Sequence, residues 1–264
     1  MHDGTPQVRS ASSRPLPLQQ RFTEAGLDWI VPDWPAPPNV HALSTTRRGR
    51  DGRGFDPSES NGEFENARAE LRDWVPSEPS WLKQVHGTDV HRVGRVRTFE
   101  DGDRPCADAA STRVAGAVCA VRSADCLPVL FCDRAGSVVA AAHAGWRGLS
   151  AGILEATIAA MDVRPADLLA WMGPAIGPAR FEVGIEVLDA FASHEARDVA
   201  AFRQTSKDKW LADLYALARG RLLRAGIDGV HGGELCTYDD PERFYSYRRD
   251  RDVGRMATLV WREA

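Results

Sequence analysis

His86, Cys126 and His143 sit in three dense segments, Lys83-Gln84-Val85-His86-Gly87, Ser123-Ala124-Asp125-Cys126-Leu127-Pro128 and Ala142-His143-Ala144-Gly145-Trp146-Arg147-Gly148. One thiolate and two imidazoles make a three-ligand set for a borderline-soft metal, and a fourth position left to water or substrate is what separates catalytic from structural zinc sites. If the three converge, the chain is a metalloenzyme. Spacing alone does not demand convergence. Cys126 lies 40 residues after His86 and 17 before His143, whereas small structural zinc modules use close pairs such as C-x2-C. Taken singly, each residue is more simply a core thiol or a hydrogen-bonded histidine.

The neighbours add further chemistry. Asp125, beside Cys126, is either a general base or, in the preferred reading, the carboxylate that fixes a histidine tautomer. Gln84 shares a strand face with His86 by the period of two. Gly145 and Arg147 lead into a helix expected to begin near Leu149, and the amides at a helix start bind phosphate readily. Arg147 would add a bidentate clamp. Arg47, Arg248 and Arg249 are further anion-binding candidates, with salt bridges on a strand edge as the alternative for each. Phe181 and Trp146 are aromatic surfaces suited to a purine or to the core.

These segments, together with Trp171-Met172-Gly173-Pro174-Ala175-Ile176-Gly177-Pro178, Cys236-Thr237-Tyr238 and Phe244-Tyr245-Ser246-Tyr247-Arg248-Arg249-Asp250, resemble the bacterial multicopper-type polyphenol oxidases. Members of that family are also described as purine nucleoside phosphorylases and as peptidoglycan editing factors, and its animal relatives are laccase-domain proteins. The similarity runs from about His41 to the C-terminus. It implies that His86, Cys126 and His143 hold a metal, zinc in most descriptions and copper in some. It also implies purine nucleosides and phosphate as substrates. Thr45-Thr46-Arg47 matches the pattern, but Arg50 replaces a usual glycine, and the expected Asn-Leu-Gly and His-Val-Gly-Asp elements are missing between Gly52 and Glu65. That segment normally shapes the substrate pocket.

The elements that must position these residues follow from pattern. Apolar runs at 114–121, 127–132, 137–142 and 168–172 read as strands, as do 243–248 and 256–261. Helical spacing marks 65–74, 149–161, 183–192 and 210–225. The mixture of adjacent strands and strand–helix alternation predicts an α+β fold, a single domain with mixed β-sheets sandwiched by helices. We expect a mobile tail over residues 1–25 and one catalytic domain over 26–264.

With 264 residues, 43% hydrophobic and 27% charged, the composition is that of an ordinary globular protein. A net charge of −4 with dispersed Lys and Arg leaves no footprint for nucleic acid. No apolar run approaches the roughly 20 residues needed to span a membrane. Without a secretory leader pattern, a cytoplasmic location is expected, and the five cysteines show no disulfide framework. The oligomeric state leaves no mark in the sequence.

Three functions compete. The resemblance implies a zinc-dependent phosphorylase for adenosine, inosine, guanosine and methylthioadenosine, and admits adenosine deamination. A peptidoglycan-precursor hydrolase would use Cys126 as nucleophile and His143 as base. A copper phenol oxidase of the four-copper kind needs on the order of ten histidines, and the chain has seven.

Overall fold

A computed structural model describes residues 16–58, 64–98, 104–251 and 254–264. In chain order the strands are β1 (Val40–Ser44), β2 (Pro79–Ser80), β3 (Val90–Arg92), β4 (Ala109–Thr112), β5 (Val118–Ser123), β6 (Leu127–Asp133) and β7 (Val139–Ala144). They continue with β8 (Leu168–Met172), β9 (Glu182–Val183), β10 (Phe202–Ser206), β11 (Lys209–Ala212), β12 (Gly229–Gly232) and β13 (Met256–Arg262). The helices are α1 (Leu18–Glu24), α2 (Phe64–Leu71), α3 (Trp146–Ala151), α4 (Ile153–Met161), α5 (Ile185–Ala192), α6 (Leu214–Arg224) and α7 (Tyr247–Asp250).

Two sheets carry the molecule. One has the order β1-β13-β5-β2 and the other β12-β8-β6-β7-β4-β3, with a small β10-β11-β9 sheet beside them. Pairing is mostly antiparallel, but β2 with β5, β3 with β4, and β8 with β12 are parallel. The side-chain alternation of a strand explains the layering. Cys119 and Val121 of β5 join Leu130 and Cys132 of β6 and Val139 and Ala141 of β7 in a core between the sheets. Their neighbours Val118 and Ala120 pack outward against Phe22, Phe64, Leu71 and Trp74 from the α1–α2 side. Leu127, Val129 and Phe131 of β6 meet Ile153, Leu154, Leu217 and Leu222 of α4 and α6. The result is the mixed-sheet α+β domain with outer helices that the sequence predicts.

Several boundaries differ from expectation. The tail expected over 1–25 lies outside the described residues up to residue 15, but Leu18–Glu24 is a helix whose Phe22 is fully buried. Packed structure therefore begins before residue 26. The helix expected over 149–161 is two helices broken at Gly152, whose φ of 103° is a left-handed conformation that ends α3. α3 starts at Trp146 rather than near Leu149. Trp210 belongs to strand β11, and α6 starts only after Asp213, whose side chain accepts from the Ala216 amide as an N-cap. No strand forms over 243–248; Tyr247–Asp250 is a short helix instead. Residues 114–117 form a turn before β5, with Gly116 at φ 77°. Among the described residues, no helix is long and apolar enough to cross a membrane.

Candidate metal centre and cleft

His143 lies inside β7, on the same face as Val139 and Ala141, so it looks into the layer between the two sheets. Cys126 follows the turn from β5 to β6 and meets that layer at its end. His86 arrives from a loop beyond the two-residue strand β2. The strand that would put Gln84 and His86 on one face is absent, although Lys83 still bridges to Cys106. One nitrogen of each imidazole and the Cys126 sulfur all lie within 4.8 Å of one another, the one such cluster of three or more His, Cys, Asp or Glu donors among the described residues. Cys126 Sγ is 3.7 Å from His86 Nε2, and the two imidazole centroids are 4.9 Å apart at 71°.

Burial grades from His143, which is buried, through Cys126 to His86, which is exposed. The cluster is therefore a floor, open on one side to a cleft of about 850 Å³. Gly145 caps it closely: a Cβ there would stand 2.8 Å from His86 Cδ2 and 2.9 Å from Cys126 Sγ. Only glycine leaves the donors room to meet.

The carboxylate that fixes a histidine is Asp108, not Asp125. His143 Nδ1 donates to Asp108 Oδ1 at 2.9 Å, which leaves Nε2 for the cluster. The same carboxylate accepts from the amides of Val85 (3.0 Å), His86 (2.9 Å) and Gly87 (2.7 Å). Asp125 is occupied elsewhere. Its Oδ1 accepts from Thr237 Oγ1 at 2.6 Å, and its Oδ2 from Ser246 Oγ at 3.1 Å and the Arg248 amide at 2.6 Å. It ties the C-terminal loop to the Cys126 turn. Its φ of 80°, like the 60° of His86, is a left-handed conformation uncommon outside glycine.

Charge within the cluster is redistributed. Burial pushes the Cys126 thiol up, but His143 and then His86 outweigh it and hold it at about 6. Burial pulls His143 down, yet the Cys126 sulfur and Asp108 together raise it to about 9. Burial raises Asp108 too, and the His143 contact with the Gly87 and Val85 amides brings it below the usual carboxylate range. A low-lying thiol beside two imidazoles, with one imidazole oriented through its other nitrogen, is the donor chemistry a zinc-like ion requires.

The remaining candidates divide. Gln84, Asp125, Arg147 and Arg248 line the cleft, as do Phe181 and Trp146. Gln84 also pairs with the backbone of Arg122, donating to its carbonyl and accepting from its amide at 2.8 Å each. Arg147 lies over the Trp146 ring at 4.4 Å, with no hydrogen bond from its guanidinium among the described residues. It is the second residue of α3 rather than preceding the helix, because α3 starts three residues early. Arg248 lies over Phe181 and donates to the Glu182 carbonyl at 2.7 Å.

Arg47 and Arg249 do not line the cleft. Arg47 donates to the Pro241 carbonyl and covers Tyr245. Arg249 donates to the carbonyls of Thr237, Tyr238 and Phe244, each at 2.9 Å. Both fasten loops. Sequence reasoning missed Asp108, and also the cleft residues Ser58, Arg122, Tyr247, Arg251 and Arg255. Ser58 belongs to the divergent segment, so its described part still reaches the cleft; residues 59–63 lie outside the described residues.

Fold and site together define a single-domain protein with a His–Cys–His cluster at the floor of an arginine-lined cleft. The chain belongs to the multi-copper polyphenol oxidoreductase laccase family, whose pattern matches residues 54–263. It is 48% identical over 244 residues to a protein named purine nucleoside phosphorylase YfiH of Escherichia coli, covering 88% of this chain and 98% of that one. A Pseudomonas aeruginosa protein with the same enzyme name is 46% identical over 242 residues, covering 88% of this chain and 98% of that relative. The crystal structure of a Neisseria meningitidis protein, NMB0706, superposes with a TM-score of 0.84 at 44% identity, covering 90% of this chain and all of that one.

Proposed function

We propose that this chain is a zinc-dependent purine nucleoside phosphorylase acting on adenosine, inosine, guanosine and methylthioadenosine, with adenosine deamination as a secondary activity. The observation that carries the reading is the placement of Arg147: a guanidinium without a hydrogen-bond partner among the described residues, in the same cleft as the three-donor cluster. Relatives carrying the phosphorylase name at 46–48% identity support it.

His86, Cys126 and His143 would hold the metal. When bound there, zinc supplies a Lewis acid that can bring a water's pKa to about 7. Copper is the alternative ion, and the same donors accept it.

In phosphorolysis, a hydrogen phosphate oxygen attacks C1′ of the ribosyl group as the glycosidic bond breaks, and the phosphate proton ends on the departing base. The products are free purine and the sugar 1-phosphate, which is ribose 1-phosphate for adenosine, inosine and guanosine and its 5-methylthio derivative for methylthioadenosine. Arg147 holds the phosphate charge, and Arg248, which lines the same cleft, lends a second cation. Trp146 and Phe181 present ring surfaces for the base. Asp125 takes no proton; its oxygens hold the loop that carries Arg248.

One observation favours a second reading for the metal-free protein. A thiol held at about 6 beside a histidine is the arrangement of a Cys–His hydrolase, as a peptidoglycan-precursor editing enzyme would need. Four-copper phenol oxidation finds less support, since one three-donor cluster is present among the described residues.

The test is product analysis of each nucleoside with and without phosphate. Free base and the matching sugar 1-phosphate should appear only with phosphate. Base release that ignores phosphate, or none with any nucleoside, would overturn the reading.

A further inference from the structure

Asp108 touches both histidine-bearing segments with a single carboxylate. Oδ1 receives the His86 amide and His143 Nδ1, each at 2.9 Å, and Oδ2 receives the amides of Val85 at 3.0 Å and Gly87 at 2.7 Å. Its backbone carbonyl accepts from the His143 amide at 2.7 Å as well. The side chain is fully buried. His86 stands at φ 60° between the two flanking amides that Oδ2 receives, a conformation that costs energy in a residue with a Cβ and persists where surroundings over-determine it. The three amide contacts to residues 85–87 lie outside any strand ladder, since those residues belong to no regular element.

We propose that Asp108 is the positioning residue for both histidine donors at once: it fixes the Nδ1–H form of His143 and the left-handed turn that presents His86. The metal arm of this inference rests on the zinc reading above; the backbone arm does not.

The atom inventory makes the proposal specific to a carboxylate. Four donors converge on two oxygens, and a side-chain amide has one oxygen and one NH2. If the amide of D108N aimed its oxygen at His86 and His143, its NH2 would face the Val85 and Gly87 amides and open the turn. If it flipped, the NH2 would face His143 Nδ1, drive the ring proton to Nε2, and remove that nitrogen as a donor. In either orientation one histidine is lost to the cluster. Glutamate keeps the acceptors but adds a methylene in a buried site, so it should recover only part of the effect.

The test compares wild type, D108N and D108E. Zinc affinity is measured by chelator competition, and amide hydrogen exchange is followed residue by residue on the metal-free proteins. We expect D108N to weaken zinc by roughly 10–100-fold, the usual cost of losing a hydrogen-bond partner of a ligating histidine. Protection of the 85–87 amides should be lost while that of β5, β6 and β7 is retained, which also shows that the variant folds. D108E should lie between. In zinc-loaded wild type, ring 15N shifts should place the His143 proton on Nδ1. Wild-type zinc affinity in D108N, unchanged protection at 85–87, or a His143 proton on Nε2 would overturn the proposal. If wild type binds no zinc, the metal reading fails by itself, and the exchange data still decide what Asp108 does.

Discussion

Thr237 Oγ1 donates to Asp125 Oδ1 at 2.6 Å across 112 residues of chain. With Ser246 and the Arg248 amide on the other oxygen, Asp125 clasps the C-terminal loop to the Cys126 turn. Asp125→Ala should lower stability by at least about 1–3 kcal/mol, the cost of leaving a buried donor unpaired. Asp125→Asn should keep more of both stability and activity, because hydroxyls can turn to accept from the new amide and Asn tolerates φ 80°. Thermal unfolding alongside turnover checks this; equal loss of turnover in both variants with unchanged stability would restore the base role.

Arg147→Ala should slow phosphorolysis by roughly one to two orders of magnitude. A hydrogen bond to a charged group contributes about 1.5–3 kcal/mol, and each 1.4 kcal/mol is about a factor of ten. Metal content should not change, and any deamination, which uses water, should suffer much less. Equal losses in both activities would place the anion elsewhere in the cleft, with Arg248 the next residue to replace.

Gly145→Ala should damage the metal centre more than the fold. The added carbon would fall within 3 Å of both His86 and Cys126, and overpacking of this kind costs about 1–3 kcal/mol. Zinc affinity by chelator competition should fall by about 5- to 150-fold. Retained affinity would show that the donors have slack.

Thiol chemistry gives a pH signature. After metal removal, Cys126 is mostly thiolate at pH 7, because His143 and His86 overcome the upward push of burial and hold it at about 6. Its pKa is depressed, so thiolate persists above about 6 and is lost as pH falls through that value. An ordinary thiol near 8.5 already loses thiolate about tenfold per unit below 8. Alkylation of Cys126, followed by peptide mass spectrometry on a Cys106→Ser background because Cys106 is exposed, should stay nearly flat from pH 8 to 7 and fall below 6. Zinc should block it. A midpoint near 8.5 would contradict the thiolate–imidazolium arrangement.

Legibility followed the range of the forces involved. β6, β8 and β13 were readable because their apolar runs are buried on both faces and need no partner to be recognised. The three donors were readable from residue type and from the resemblance. What sequence could not show was fixed by distant contacts. The stretch 243–248 is rich in aromatic residues like a strand, yet Asp125 and the Arg249 guanidinium hold it as loop and short helix. Trp210 and Leu211 continue the apolar pattern of α6, and the Asp213 cap is the local signal that separates them from it. Asp108 has no periodic neighbour to betray it: it follows His86 by 22 residues and precedes His143 by 35, and only the folded chain brings them together.

The most direct measurement is to strip the metal with a chelator, restore zinc, and follow ribose 1-phosphate from inosine and phosphate at each stage. The account predicts phosphate-dependent product in the zinc-loaded protein, loss on stripping, recovery on zinc addition, and no recovery in His86→Ala, Cys126→Ala or His143→Ala. Undiminished product after complete removal of the metal, or full activity in any of the three variants, would contradict it.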